Sequence, residues 1–123
     1  MPATTKKILI LEDEKPLARA LELKLNHAGF EATSVPNGEE GLLLLEKESF
    51  AFILCDLVMP KMDGFAFLER LKERKIKTPV IVLTNLSQVE DEKRARELGA
   101  VDFFIKSNIP VSEIVDHIKQ KVG

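Results

Sequence analysis

Cross-linking chemistry is nearly absent from this sequence: one cysteine, Cys55, stands in 123 residues. No intramolecular disulfide can form, and a reduced compartment is expected. A charge excess is missing too. Lys and Arg number 18 against 20 Asp and Glu, for a net charge of -2, which excludes a basic surface built to read a phosphate backbone or an anionic membrane. No apolar run approaches the roughly 18 residues of a membrane span, and no signal-peptide pattern follows Met1. The expected address is the cytoplasm, with no direct nucleic-acid or membrane partner. Linkers, repeats and low-complexity stretches are also lacking, so residues 1–123 are expected to be one domain with its core at about 6–122. With 45% hydrophobic and 31% charged residues, the composition is that of a chain with a real core.

What is present is alternation. Short β-rich runs at Lys7 to Leu11, Glu31 to Val35, Phe52 to Cys55, Val80 to Leu83 and Phe103 to Ile105 are separated by segments of helical period. That order signals βαβ units and a parallel sheet. Three of the five runs are continuously apolar, as strands covered on both faces are. The fold class is therefore α/β, a doubly wound (βα)5 domain.

The helical segments differ in strength. Leu17, Leu21, Leu25 and Ala28 share one face between Pro16, suited to a first turn, and Gly29, suited to a stop. Val111, Ile114, Val115, Ile118 and Val122 form an equally clear stripe behind Pro110. Phe65, Leu68 and Leu71 mark a helix after Gly64. In the segment from Gly38 to Glu48, four consecutive leucines cannot all face one core, and Leu43 points away from the arc of Gly41, Leu42 and Leu45. Ser87 to Leu98 is the weak one. Seven of the eight residues from Glu90 to Glu97 are charged, and Val89, Ala95 and Leu98 do not align. Its support is expected from a Ser87/Glu90 capping box and from Glu90–Arg94 and Glu92–Arg96 pairs, each worth about a few tenths of a kcal/mol. Such a helix is easily shifted.

In a parallel α/β sheet the residues just past the carboxyl ends of the strands converge on one rim, where ligands bind. Those residues are Glu12 and Asp13, Asp56, Thr84 and Lys106. Carboxylates at 4 Å repel by about 4 kcal/mol per pair at an effective dielectric near 20, and one lysine cannot neutralise three. A bound cation is expected, and the all-oxygen ligand set selects Mg²⁺ ahead of Mn²⁺ or Ca²⁺. Taken alone, Asp13 ahead of Pro16 fits a plain helix cap. Three strand ends with a threonine and a lysine opposite fit a site.

The strings KILILEDE, LCDLVMPKMDGF, PVIVLT and ELGAVDFFIKS resemble the receiver domain of bacterial two-component response regulators over nearly the whole chain. The resemblance implies a flavodoxin-like five-stranded sheet of order 2-1-3-4-5. It makes Asp56 the phosphoacceptor and Glu12 and Asp13 the acidic pair that, with Asp56 and the Val58 backbone carbonyl, holds Mg²⁺. Thr84 becomes the switch hydroxyl, Lys106 the phosphate-contacting lysine and Phe103 the rotating aromatic. It further implies a histidine kinase or histidine phosphotransfer protein as donor. The signal would leave to a downstream protein target or output domain through the fourth helix, fifth strand and fifth helix, from a monomer or a phosphorylation-dependent dimer.

Three positions depart from the family pattern. Ser107 replaces the usual proline after the lysine, so a cis bond there would cost about 2.5 to 4 kcal/mol and the loop is expected to be strained or differently routed. Asn85 stands where a small residue is common, and Phe103 lacks a tyrosine hydroxyl. Cys55 suits buried packing, His27 and His117 fall away from the rim, and the charged run fits a solvated face ahead of a partner surface. Two other functions compete. A Mg²⁺-dependent phosphohydrolase working through an aspartyl phosphate would want a second acidic residue two positions past Asp56, where Val58 stands. A pseudo-receiver acting by contacts alone would not need the full set of Glu12, Asp13, Asp56, Thr84 and Lys106.

Overall fold

The computed structural model describes residues 6–122, the side chain of Val122 excepted. Strands β1 (Lys7–Leu11), β2 (Glu31–Val35), β3 (Phe52–Cys55), β4 (Val80–Thr84) and β5 (Ala100–Ile105) form one sheet, all parallel, in the order β2-β1-β3-β4-β5. The chain winds outward from β1 to β2 and then crosses back to β3. That reversal opens a crevice past the carboxyl ends of β1 and β3.

Helices cover both faces, which is why the central strands are apolar throughout. Helices α1 (Lys15–His27) and α5 (Val111–Val122) pack on one face over Ile8, Ile10, Leu54 and Ile81. Helices α2 (Gly38–Lys47), α3 (Gly64–Glu73) and α4 (Val89–Glu97) cover the other, over Leu9, Leu11, Ile53 and Val82. The period of two along each strand divides the core into these two layers. Among the described residues no helix is long and apolar enough to cross a membrane.

Most helix boundaries follow from local chemistry. Proline sits in the first turn of α1, and Gly29, at φ 100°, ends it with its N–H on the Asn26 carbonyl and that of Phe30 on the Leu25 carbonyl. Leu21 and Leu25 are buried, as are Ile114, Val115 and Ile118 of α5. The stripe position Val122 lies outside the described side chains. In α2, Leu42 is buried and Leu43 is 57% exposed, the outward leucine that the helical phase requires.

Helix α4 departs from the sequence expectation. It begins one residue later than a Ser87 cap would need: Gln88 is the N-cap, with no side-chain capping bond. The Ser87/Glu90 box is therefore not formed. The Glu92–Arg96 pair is present at 2.9 Å, but Arg94 turns away from Glu90 and crosses to α3. Its guanidinium lies 4.2 Å from the centre of the Phe65 ring and 3.4 Å from Glu69 Oε2, a flat apolar surface and an anion offered together.

Strand β5 is also longer than expected, and it contains a bulge. Val80 pairs with Ala100 but Ile81 pairs with Asp102, so Val101 has no partner. The extra residue resets the alternation. Phe103 thereby joins the α3/α4 layer, while Phe104 joins the α1/α5 layer. Past β5, Lys106–Asn108 forms a 3-10 turn, and no peptide bond among the described residues is cis. The bond from Lys106 to Ser107 is thus trans, and the chain enters α5 through that turn.

Candidate functional site

The crevice brings the rim residues together. Glu12, Asp13 and Asp56 each offer a carboxylate oxygen, and the three oxygens lie within 4.8 Å of one another. Glu12 and Asp56 are buried, at 4% and 5% exposure, whereas Asp13 is exposed. From the far side of the sheet Lys106 Nζ reaches Asp56 Oδ2 at 2.7 Å and both oxygens of Glu12 at 2.9 and 3.1 Å. Asp13, Asp56, Val58, Thr84, Asn85 and Lys106 line an open cleft of about 310 Å³. Glu12 does not line it and reaches it only through Lys106, and Phe103 packs in the α3/α4 layer.

Backbone geometry fixes the two buried acids. The Glu12 N–H donates to the Val35 carbonyl and the Asp56 N–H to the Leu11 carbonyl, each at 3.0 Å, which ties both residues to neighbouring strand ends. Asp56 Oδ1 accepts the Val58 N–H at 3.2 Å, and Glu12 Oε2 accepts the Glu14 N–H at 3.0 Å. The loop after Asp56 then turns back so sharply that a Cβ on Gly64 would stand 2.3 Å from the Asp56 carbonyl oxygen. Only glycine fits that position. Lys61 and Met62 hold left-handed backbone at φ 50° and 85°, and the Met62 carbonyl accepts the Gly38 N–H at 3.2 Å. The loop is pinned to the start of α2.

The electrostatics follow from burial and pairing. Desolvation raises the Glu12 carboxyl above the usual carboxylate range, and the Lys106 hydrogen bond only partly offsets it. For Lys106 burial acts to lower the value, but hydrogen bonds to Asp56 and Glu12 outweigh it and hold the ammonium well above an ordinary lysine. It stays charged. Burial pushes the Cys55 thiol up, with the Asp56 charge adding to it, so this cysteine is an inert core residue.

A fourth carboxylate, not singled out among the rim residues, completes the cluster. Glu14 Oε1 also reaches Lys106 Nζ, at 3.1 Å. The run Glu12-Asp13-Glu14 was its only sequence signal. Among the described residues no ion pair reaches Asp13, so the cluster retains an acid without a cation. Opposite ligands of a Mg²⁺ ion at 2.0 to 2.1 Å stand about 4.1 Å apart. The three oxygens within 4.8 Å are close to that span and are all hard donors, so the residues fit a small hard cation. At the end of β4, buried Thr84 accepts the Leu86 N–H on Oγ1 at 3.3 Å, which leaves its own proton for an acceptor in the cleft. His27 and His117 do not line the cleft; His117 pairs with Asp102 at 2.9 Å.

Known proteins share this architecture. The family model for the response regulator receiver domain matches residues 8–119. The probable transcriptional regulator ycf27 of Porphyridium aerugineum is 38% identical over 104 residues, covering 85% of this chain and 43% of that protein. The cell cycle response regulator CtrA of Brucella ovis is 34% identical over 100 residues, 81% of this chain and 43% of that protein. The chain thus spans less than half the length of these relatives. A CheY-like response regulator receiver domain protein from Methanospirillum hungatei superposes with a TM-score of 0.89 at 25% identity, over 97% of this chain and 94% of that one. With the fold, the strand order and the family match over residues 8–119 in agreement, the chain belongs to the response regulator receiver domain family.

Proposed function

We propose that this receiver domain is a phosphorylation-dependent switch of the cytoplasm, in which Asp56 takes a phosphoryl group from a histidine kinase or histidine phosphotransfer protein. One observation carries the reading. The buried Asp56 carboxylate is held on one oxygen by Lys106 at 2.7 Å and on the other by the Val58 N–H at 3.2 Å, at the floor of an open cleft. Residues 1–123 act as a single receiver unit in this scheme.

An Asp56 oxygen attacks the phosphorus of a phosphohistidine. The P–N bond breaks, its electron pair returns to the imidazole nitrogen, and that nitrogen takes up a proton. The Val58 N–H orients the carboxylate. The Lys106 ammonium moves from Asp56 to an oxygen of the transferred group. Receiver domains generally bind Mg²⁺ at such an acidic pocket, and when bound it neutralises charge on the transferring group. Glu12, Asp13, Asp56 and the Val58 backbone carbonyl would hold it here. The product adds negative charge beside Thr84, whose hydroxyl donates to it.

Phe103 pairs with Val82, two residues before Thr84 on the same strand. A shift of Thr84 towards the phosphoryl group therefore vacates space that the ring can take. The signal leaves through the α4-β5-α5 face to a downstream protein or an output domain, from a monomer or a phosphorylation-dependent dimer. The transcriptional regulators among the relatives fit the output-domain version.

Intact mass spectrometry after incubation with acetyl phosphate is the test. One phosphoryl group should be gained with Mg²⁺ and none without it. Equal labelling of Asp56→Ala would refute the assignment. Asp13→Asn should weaken Mg²⁺ binding in a titration and slow labelling, with Glu12→Gln milder.

A further inference from the structure

We propose that Glu14 is a positioning residue that competes with the incoming phosphoryl group for Lys106, and so limits how readily the domain is phosphorylated. The inference rests on the reading of Asp56 as the acceptor.

Glu14 is the N-cap of α1, with extended backbone at φ -82° and ψ 104°. A side chain there ordinarily turns back to accept an N–H of the first helical turn. Glu14 makes no such bond. Its carboxylate instead spans the crevice to Lys106, 92 residues further along the chain, at 3.1 Å. An ammonium has three protons, and Lys106 meets three carboxylates: Asp56 at 2.7 Å, Glu12 at 2.9 Å and Glu14 at 3.1 Å. Its donors are fully committed.

The three partners are not equivalent. The Glu12 and Asp56 side chains are 2% and 5% exposed and are tied to backbone N–H groups. The Glu14 side chain is 56% exposed and lines the mouth of the cleft beside Asp56, Thr84 and Lys106. It is the partner that can leave. A phosphoryl dianion entering the cleft must displace Glu14 from the ammonium, and it approaches past the same negative charge. Both effects oppose phosphorylation, and both are bounded by the small worth of an exposed ion pair. The corresponding change is about two- to fivefold.

The test compares wild type, Glu14→Gln, Glu31→Gln and Asp56→Ala, each with Mg²⁺, at low and at high ionic strength. Labelling by acetyl phosphate is followed by intact mass, and affinity for beryllofluoride is titrated. Glu31 begins β2 and pairs in register with Lys7, the first residue of β1. It therefore controls for net charge from the opposite end of the sheet, four residues or about 13 Å away along the strand, beyond a Debye length at 0.1 M salt. Glu14→Gln should label about two- to fivefold faster and bind beryllofluoride about two- to fivefold tighter, with the gain shrinking in high salt. Glu31→Gln should match wild type. Unchanged or slower labelling of Glu14→Gln, or an equal gain in Glu31→Gln, overturns the proposal. Labelling of Asp56→Ala would instead remove the acceptor assignment beneath it.

Discussion

Helices α4 and α5 stand on either side of β5 and are held there by different forces. Helix α5 buries Ile114, Val115 and Ile118 to 6% exposure or less, each worth about 1.5 to 3 kcal/mol in removal from water. Helix α4 buries only Ala95, while Val89 at its start is 79% exposed. What else fastens α4 is the stacking of Arg94 on Phe65, the Arg94–Glu69 pair and the bond that the Arg96 guanidinium donates to the Val101 carbonyl of β5 at 3.3 Å, the Arg96–Glu92 pair lying within the helix itself. Each of these is worth about 0.2 to 1 kcal/mol where exposed. Displacing α4 therefore costs an amount close to the 1 to 3 kcal/mol typical of allosteric coupling, and displacing α5 costs several times more. In the switch proposed above, a phosphoryl group on Asp56 moves α4 and leaves α5 in place, so that α5 is the fixed wall beside a movable helix.

The comparison breaks first at Ile118, which has no exposed surface. Ile118→Ala should lower stability by about 2 to 5 kcal/mol in urea denaturation, because a cavity is added to the lost burial. The matched change on α4, Val89→Ala, should stay within about 0.5 kcal/mol. Similar losses in the two variants would show that α5 is not anchored by burial.

A smaller effect is expected where α5 is tied to β5 by charge. Asp102 Oδ2 lies 2.9 Å from both His117 Nε2 and Lys121 Nζ, and His117 packs edge-on against Phe104. Burial acts to raise the Asp102 carboxyl, but hydrogen bonds from His117 and Lys121 outweigh it and hold the group below the usual carboxylate range. A depressed carboxyl contributes stability that is present above its unfolded value near 4 and is lost as pH falls through the lower folded value. Asp102→Asn should thus cost about 1 kcal/mol at pH 6. That deficit should shrink as the pH is lowered below 4; a deficit constant from pH 6 to pH 3 would remove the electrostatic account.

On α4 the sharper probe is Arg94. Arg94→Ala should cost about 0.5 to 1 kcal/mol, and the loss should be local. Amide exchange across Val89–Glu97 should quicken while the central strands stay protected, since a weakly anchored helix opens by itself. Faster exchange in β1 and β3 as well would mean that α4 belongs to the global cooperative unit.

How much of this was legible in the sequence depended on whether the cause was local. The central strands and the buried stripes of α1 and α5 were, because periodicity of apolar residues is a local signal. Glu12, Asp13, Asp56, Thr84 and Lys106 were, because each stands at or just past a recognisable strand end. The bulge at Val101 was not: it exists only in the pairing of β5 with β4, and without it Phe103 would face the other layer. The Glu14 contact was not, since Glu14 is the N-cap of α1, where a side chain ordinarily turns back on its own helix instead of crossing to Lys106. Gly64 could be read as a turn residue, but its need for glycine comes from the Asp56 carbonyl folded against it. The local supports of α4 were misread as well: its N-cap is Gln88 and not Ser87, and Arg94 is held by Phe65 and Glu69 of a different helix and not by Glu90.

That misreading supplies the smallest expected effect. A Ser87/Glu90 capping box would satisfy two backbone donors, and losing its serine would cost about 1 kcal/mol. In the structure Gln88 is the N-cap and its side chain makes no capping bond, so Ser87 has no such bond to lose. Ser87→Ala should therefore leave the urea midpoint within the scatter of surface substitutions, about 0.5 kcal/mol. Gln88→Asp places a short acceptor at the position that lacks one, beside the positive end of the helix dipole, and should add about 0.5 to 1 kcal/mol. Slower amide exchange confined to α4 should accompany the gain. By strengthening the looser helix alone, Gln88→Asp narrows its difference from α5, and the response of α4 to beryllofluoride should fall with it. A loss near 1 kcal/mol in Ser87→Ala, with no gain in Gln88→Asp, would restore the capping box and move the start of α4 back by one residue.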